Sequence, residues 1–272
     1  MENTKTLQFE KPSFFERLKG MLGVDFYRLF HTPLFYIFIV IAALIPALVS
    51  MGAMGEGETA GMFSNAWQII AADSPLYIVH DMGEHANMNM VFIFGGIMVS
   101  IFIGHDYRSG YVKQLFTTHA KKEDYMISKT LVSAFSMVCM CGTYLVGGMI
   151  AGAATGLPFA INAGSLLCAI LGKMIMSLGW ASLYTFINII FRRKFGISIA
   201  LCFVLGTGIP VIGAAALVGN TAALNIFLYG SSVYACLSAN FASVLVCLAC
   251  SCIWAVVYNV LGSVILYRRD VY

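Results

Sequence analysis

Six long apolar runs constrain this 272-residue chain more than any other feature of its sequence. A helix needs about 20 largely apolar residues to cross the hydrocarbon core of a bilayer, and each run is near or above that length. The composition agrees, because 11% of the residues are charged and a soluble domain of this size carries roughly twice that fraction. We therefore predict an all-α membrane protein with a single transmembrane domain over 1–272. The six predicted spans are 34–51, 87–104, 130–154, 165–190, 196–218 and 242–267.

Lysine and arginine are distributed asymmetrically between the connections. Of the 16 Lys and Arg residues, all but Lys173 lie outside the predicted spans, and three of the connections contain none. Positively charged connections stay in the cytoplasm, so both termini are predicted to be cytoplasmic, as an even number of spans permits. Because these cations act as topology determinants, the net charge of +3 does not indicate a nucleic-acid partner. The segments that carry cations are 1–33, 105–129, 191–195 and 268–272.

The segment 14–30, before the first span, has the pattern of an amphipathic helix. Its apolar residues recur at helical spacing, and charged residues occupy the other faces. Such a helix can lie in the membrane interface with its apolar face down. An ordinary cytoplasmic cap on the bundle is the alternative, but the short connection 31–33 favours an interfacial elbow helix. The charged residues assigned to the other faces are Glu16, Arg17, Lys19, Asp25 and Arg28.

The connection 219–241 carries no charge and is rich in apolar and aromatic residues. It is too short for two further spans. Backbone that re-enters the membrane is tolerated only when it is buried in protein or lines a cavity. A re-entrant outer segment and a loop packed flat on the bundle are both consistent with the sequence. Just before it, 207–210 reads Thr-Gly-Ile-Pro, so we expect the fifth helix to bend or break there.

The connection 105–129 is the longest one on the predicted cytoplasmic side. Residues 111–118 can form a short amphipathic helix with Val112, Leu115 and Phe116 on one side. The alternative is a solvated loop whose only role is its positive charge. A solvated loop would not need these apolar residues, which therefore indicate a docking surface for a partner.

Motifs of several enzyme and metal-binding classes are missing from the sequence. The chain has no G-x-x-x-x-G-K-[ST] phosphate loop, no H-E-x-x-H and no G-x-S-x-G. Cys247-x-x-Cys250-x-Cys252 lacks the second cluster that a two-plus-two metal site needs, so we interpret it as packing residues. No Asp, Glu or His lies inside a predicted span, which disfavours proton-coupled pumps and intramembrane proteases. We therefore predict no catalytic residue, metal site or cofactor in this chain.

Lys173 is the one charged residue inside a predicted span. Its long stem can carry the ammonium toward the outer interface, or the ammonium can pair with an acid of the first outer connection. The functional alternative is a cation that lines a substrate path. The sequence favours the first interpretation, and both remain open.

The connection 105–129 also carries a resemblance to a known family. It resembles the signature of ABC-2-type permeases, in which span two ends in an acidic residue, a glycine follows, and a basic, apolar stretch leads to a lysine that opens span three. Asp106, Gly110, Lys113 and Lys129 match that signature, whereas Tyr111 departs from the usual threonine. The wider pattern of elbow helix, six spans, coupling helix and re-entrant segment is similar to the same family. In size and general appearance the chain looks closest to small permeases of antibiotic-peptide resistance and lantibiotic immunity.

The resemblance implies the membrane subunit of an ATP-driven exporter in a bacterial cell membrane. It would form a homo- or heterodimer, bind separate ABC ATPase subunits that hold the ATP and Mg²⁺, and move an amphipathic or lipid-like substrate by alternating access. A secondary transporter and an intramembrane enzyme are the alternatives. The residues that this implies for ATPase coupling are Asp106, Gly110, Tyr111, Val112, Lys113, Leu115 and Phe116.

Overall fold

The computed structural model describes residues 13–54, 66–72, 89–117, 120–192, 194–210 and 225–268. Within these ranges the chain is all-α, as predicted, with no strand. Short turns join several of the helices directly, which keeps consecutive helices adjacent in space. The helices are α1 Phe14–Phe30, α2 Pro33–Met54, α3 Ala66–Ala72, α4 Met90–Arg108, α5 Tyr111–Thr117, α6 Lys122–Thr155, α7 Ala163–Ile190, α8 Phe195–Gly206, α9 Leu228–Ser238 and α10 Phe241–Arg268.

Five of the helices, α2, α4, α6, α7 and α10, are long and apolar enough to cross a membrane. Four of them contain a predicted span and α4 overlaps the span predicted at 87–104, so the chain is a multi-pass membrane protein. The fifth predicted span begins as α8, which ends after 12 residues at Gly206. Residues 211–224, which would complete that span, lie outside the described part of the chain, so the count of six spans stays a prediction.

The helix break expected at 207–210 is present. Gly208 has a φ of +72°, in the left-handed region that favours glycine. A Cβ at this position would lie 2.1 Å from the Tyr229 ring, so the packing requires glycine as well. The bend therefore brings the end of α8 directly against α9.

Helices α6 and α7 form the centre of the bundle. Helix α2 packs along α6, and α10 packs along α7. Glycine allows the closest of these approaches, since a Cβ at Gly147 of α6 would lie 2.3 Å from the Ala43 carbonyl oxygen of α2. Small residues at such contacts let membrane helices pack backbone to backbone.

Helix α1 lies against α6 and presents one stripe of side chains to the bundle. Ser13 caps its N-terminus, and Glu16 completes a capping box. The buried stripe consists of Met21, Asp25 and Leu29. Asp25 was assigned to the charged faces in the sequence analysis, and that assignment is wrong because its carboxylate is neutralised by cations inside the bundle.

Helix α9 occupies most of the described part of the connection 219–241. Leu228, Tyr229 and Val233 are buried, and α9 packs on α7 and α10. The indole Nε1 of Trp180 in α7 donates a hydrogen bond to Ser232 Oγ at 2.8 Å. The segment is thus embedded among the long helices and satisfies most of its backbone groups as a helix, which suits either interpretation of this connection.

Candidate functional site: a buried charge cluster beside a short helix

Four helices converge where α4 ends and α6 begins. Helix α1 arrives from the N-terminal side, and α5 connects α4 to α6. Lys129 of α6 lies at the centre of this region and is 0% exposed. Lys129 was predicted to belong to the connection 105–129. It lies instead within α6, which starts at Lys122, and is buried there.

The Lys129 ammonium is shared between two carboxylates from different helices. Its Nζ lies 2.6 Å from Asp25 Oδ1 of α1 and 2.6 Å from Asp106 Oδ2 of α4. Both acids are fully buried. Ser128 Oγ donates a further hydrogen bond to Asp25 Oδ2 at 2.7 Å. An ammonium in this environment is tolerated because paired, hydrogen-bonded charges offset the cost of leaving water.

Arg28 of α1 is the second cation of this region. Its Nη2 pairs with Asp106 Oδ1, and its Nη1 lies 3.8 Å from Asp25 Oδ1. Burial alone would lower the pKa of Arg28. The neighbouring carboxylates, chiefly that of Asp106, outweigh this effect and raise the pKa, so the guanidinium stays charged. We call Asp25, Arg28, Asp106 and Lys129 the charge cluster. Its formal charges cancel, because it contains two acids and two bases.

The charge cluster also touches the short helix α5. The Arg28 guanidinium carbon lies 4.2 Å from the centroid of the Tyr111 ring, a cation–π geometry. The Lys129 Nζ lies 5.6 Å from the same ring and 4.6 Å from that of Phe102. Burial raises the pKa of the Tyr111 phenol, so its ring stays neutral and can accept a cation on its face.

A second ion pair joins α1 to α6, nearer the N-termini of both helices than Asp25 and Lys129. Arg17 Nε lies 2.8 Å from Asp124 Oδ2, and the arginine side chain is partly exposed. Asp124 stands in the first turn of α6, where a carboxylate also suits the positive end of the helix. This pair connects the same two helices as Lys129 and Asp25 but does not involve α4 or α5.

Helix α5 carries most of the residues predicted to couple to a partner. It follows Gly110, whose φ of +74° turns the chain sharply out of α4. Val112 is 1% exposed and packs with Met21, Tyr125 and Leu266 of this chain. Val112 therefore has its burial surface within this chain and needs no partner to cover it.

The remaining α5 side chains differ in exposure. Leu115 and Phe116 are partly buried and pack at the edge of the same apolar group, with the Phe116 ring centroid 5.6 Å from that of Tyr125. Lys113, Gln114 and Thr117 are exposed. The free face of α5 is thus polar, with Leu115 and Phe116 at its border.

Lys173 lies in a different region, between α4 and α7. Its Nζ donates a hydrogen bond to Asn89 Oδ1 at 3.0 Å and lies 5.2 Å from the Phe92 ring centroid. The side chain also lines a small cleft of about 60 Å³. The acids of the first outer connection lie outside the described residues, so neither interpretation of Lys173 is decided. The cleft is otherwise largely apolar and is lined by Trp67, Ile70, Val91, Cys141, Gly142, Tyr144, Leu145, Ala169, Ile170 and Met174.

The three cysteines of the Cys247-x-x-Cys250-x-Cys252 run lie along α10. Cys247 Sγ donates to the Ser231 carbonyl at 3.3 Å, and Cys250 Sγ donates to the Ile226 carbonyl at 3.4 Å. Cys252 is exposed. In the described ranges no three His, Cys, Asp or Glu side chains are grouped as a metal site would require. The thiols of Cys247 and Cys250 therefore hold α10 to α9 and to the residue Ile226 just before it.

Sequence reasoning singled out Asp106 and Lys129 only through the resemblance, and it missed Asp25 and Arg28 as members of one site. A signal for Asp25 was available, because it stands four residues from both Met21 and Leu29 and so lies on their stripe. An acid on the apolar stripe of an amphipathic helix requires a buried cation nearby.

Comparison with known protein families gives a match over most of the chain. The family model described as "ABC-2 family transporter protein" matches residues 22–209, more than half of the chain. The match includes all four members of the charge cluster, helix α5 and Lys173. A comparison with curated proteins gives no match.

Proposed function

The chain belongs to the ABC-2 family of transporter membrane proteins, and we propose that it is the permease subunit of an ATP-binding cassette exporter. The single observation that carries this proposal is the position of α5. This helix joins two apolar helices long enough to span a membrane, and it rests on a buried charge cluster that also holds α1. A force applied to α5 would therefore reach several helices at once.

The energy source in this proposal is a separate ATPase. The sequence has no phosphate loop of its own, so ATP and Mg²⁺ would be held by the partner subunits. The ATPase would cover Leu115 and Phe116 at the border of the free face of α5, with the exposed Lys113 and Gln114 at the rim of the contact. Val112 would instead fasten α5 to its own bundle, which is required if a push on α5 is to move the bundle.

The transport mechanism in this proposal is alternating access in a homo- or heterodimer. ATP-driven closure of the ATPases would displace α5 and favour one orientation of the two bundles over the other. A partner can shift such an equilibrium only by its differential affinity for the two states. This proposal also includes three features of the predicted fold: the elbow role of α1, the re-entrant role of α9 and the sixth span.

The orientation in this proposal follows from the charges. Both termini and α5 would face the cytoplasm of a bacterial cell, because the segments that carry Lys and Arg lie on one side of the predicted spans. The substrate would be amphipathic or lipid-like, such as a peptide antibiotic. The cleft beside Lys173 supports this class through its chemistry, since its walls are largely apolar and it offers one cationic group.

The experiment that tests the function is reconstitution. The chain should co-purify with an ABC ATPase encoded beside it, and the complex in liposomes should hydrolyse ATP faster than the ATPase alone. A secondary transporter or an intramembrane enzyme would act without that ATPase. Activity of the purified chain alone, driven by an ion gradient, would contradict the proposal.

A further inference from the structure

Tyr111 is the position at which this chain departs from the threonine usual in the signature, and its ring has a specific partner. The Arg28 guanidinium carbon lies 4.2 Å from the ring centroid. Threonine has no aromatic face and could not make this contact. The residue that differs from the signature is therefore one that joins α5 to α1.

The charge cluster divides into a fixed part and a more accessible part. Lys129 and its two carboxylates are fully buried, and removing one partner of a buried pair is strongly destabilising. The Arg28 side chain is 22% exposed and lies at the edge of the charge cluster, between Asp106 and the Tyr111 ring. Arg28 therefore makes the closer contact with α5, since Lys129 Nζ lies 5.6 Å from the same ring.

We propose that the contact between Arg28 and Tyr111 is a link through which a displacement of α5 moves α1, so that Arg28 and Tyr111 are positioning residues for coupling. The proposal rests on the proposed function, because it requires that a partner acts on α5. It adds α1 to the elements that respond to the partner.

Two features argue against a purely local packing role for the Tyr111 ring. Charge balance does not need the ring, since Asp25 and Asp106 already neutralise Arg28 and Lys129. Attachment of α5 to the bundle does not depend on the ring alone either, since Val112 is buried among Met21, Tyr125 and Leu266. The ring's closest charged contact is with Arg28 of α1, and its contact with Lys129 of α6 is longer.

The first test measures the link without any ATPase. Spin labels are placed at Lys19→Cys on α1 and Gln114→Cys on α5, both exposed, in a variant without native cysteines reconstituted in nanodiscs. With Tyr111 or Tyr111→Phe, which keeps the aromatic face, we expect one narrow distance distribution. With Tyr111→Thr the distribution should broaden. Equal distributions for all three variants would overturn the link.

The second test measures coupling in the complex with the ATPase. Tyr111→Thr should lower permease-dependent stimulation of ATP hydrolysis about tenfold, equivalent to ~1.4 kcal/mol, whereas Tyr111→Phe should keep it. Arg17→Gln is the matched control, because it removes another ion pair between α1 and α6, the one with Asp124. Normal stimulation with Tyr111→Thr, or an equal loss with Arg17→Gln, would overturn the coupling role.

The two tests separate this inference from the proposed function. If the native chain binds no ATPase, the proposed function fails and the coupling role fails with it, while the distance measurement still decides the link. If the native complex is stimulated and Tyr111→Thr behaves like the native chain, only the inference fails.

Discussion

Lys129 Nζ lies 2.6 Å from Asp106 Oδ2, so the buried start of α6 is held to the end of α4 by a direct ion pair. The same ammonium pairs with Asp25, which brings α1 into the same contact. One lysine side chain thereby fixes the relative positions of three helices that are distant in sequence.

Replacing Lys129 should be among the most destabilising changes in the described part of the chain. Lys129→Met would leave the two buried carboxylates of the charge cluster with Arg28 as its one remaining cation, at a cost of roughly 3–5 kcal/mol. We expect a large fall in the yield of folded, monodisperse protein and in its melting temperature. The double variant Lys129→Met with Asp25→Asn should recover part of the loss, because the excess negative charge is removed. A melting temperature equal to the native one would contradict the importance of this pair.

Truncating the border residues of α5 should uncouple the partner. Leu115→Ala with Phe116→Ala removes apolar side chains at the proposed contact, and buried anchors of this kind typically contribute about 2 kcal/mol or more. The ATPase should fail to co-purify or should lose stimulation, while the chain still inserts and dimerises. Normal co-purification and stimulation would show that the contact lies elsewhere.

The control for that experiment is a charge on the free face. Lys113→Ala should do little, since rim charges contribute less than buried anchors. Lys122 is a poorer control, because its Nζ donates to the Leu266 carbonyl at 2.7 Å and lies over the Tyr267 ring. Val112→Ala should instead destabilise the chain itself.

Lys173→Met should leave expression and transport largely intact. The described hydrogen bond of its ammonium goes to Asn89 Oδ1, and a bond of this kind contributes about 0.5–1.5 kcal/mol. Transport assays on the reconstituted complex, with membrane insertion checked in parallel, decide the point. Loss of transport despite normal insertion would identify Lys173 as a residue of the substrate path.

The orientation can be tested by labelling in intact cells. In a cysteine-free background, a membrane-impermeant reagent should modify a cysteine at Glu58 but not one at Lys5 or Tyr272. The physical reason is the absence of Lys and Arg from the connections predicted to lie outside. Modification at Lys5 without permeabilisation would contradict the predicted topology.

The fold was largely predictable from the sequence because hydropathy marks long apolar helices directly. Five helices long enough to span the membrane lie where the apolar runs predict them. The helix ends were less predictable, since α6 starts at Lys122, before the predicted span. Charged residues near the start of α6 are buried because they pair with residues far away in the sequence. The charge of a single segment does not reveal such pairs.

The candidate site was only partly predictable for the same reason. Asp106, Gly110 and α5 were singled out, but the charge cluster depends on Asp25, which is 104 residues from its partner Lys129. The apolar side of α5 was recognised correctly, whereas its burial surface was not. Val112 packs on residues of α1, α6 and α10, and amphipathic spacing alone does not say which surface an apolar side chain meets.

The distance along the chain between Asp25 and Lys129 sets an order for biogenesis. During synthesis Asp25 and Arg28 are the first members of the charge cluster to emerge, and they can pair with each other as an i,i+3 pair on α1. Asp106 follows, and the lysine that neutralises both acids is made last. The ends of α1 and α4 at the charge cluster therefore cannot reach their final packing until α6 has left the ribosome. A nascent chain stopped before that point carries both acids of the charge cluster with Arg28 as its one cation.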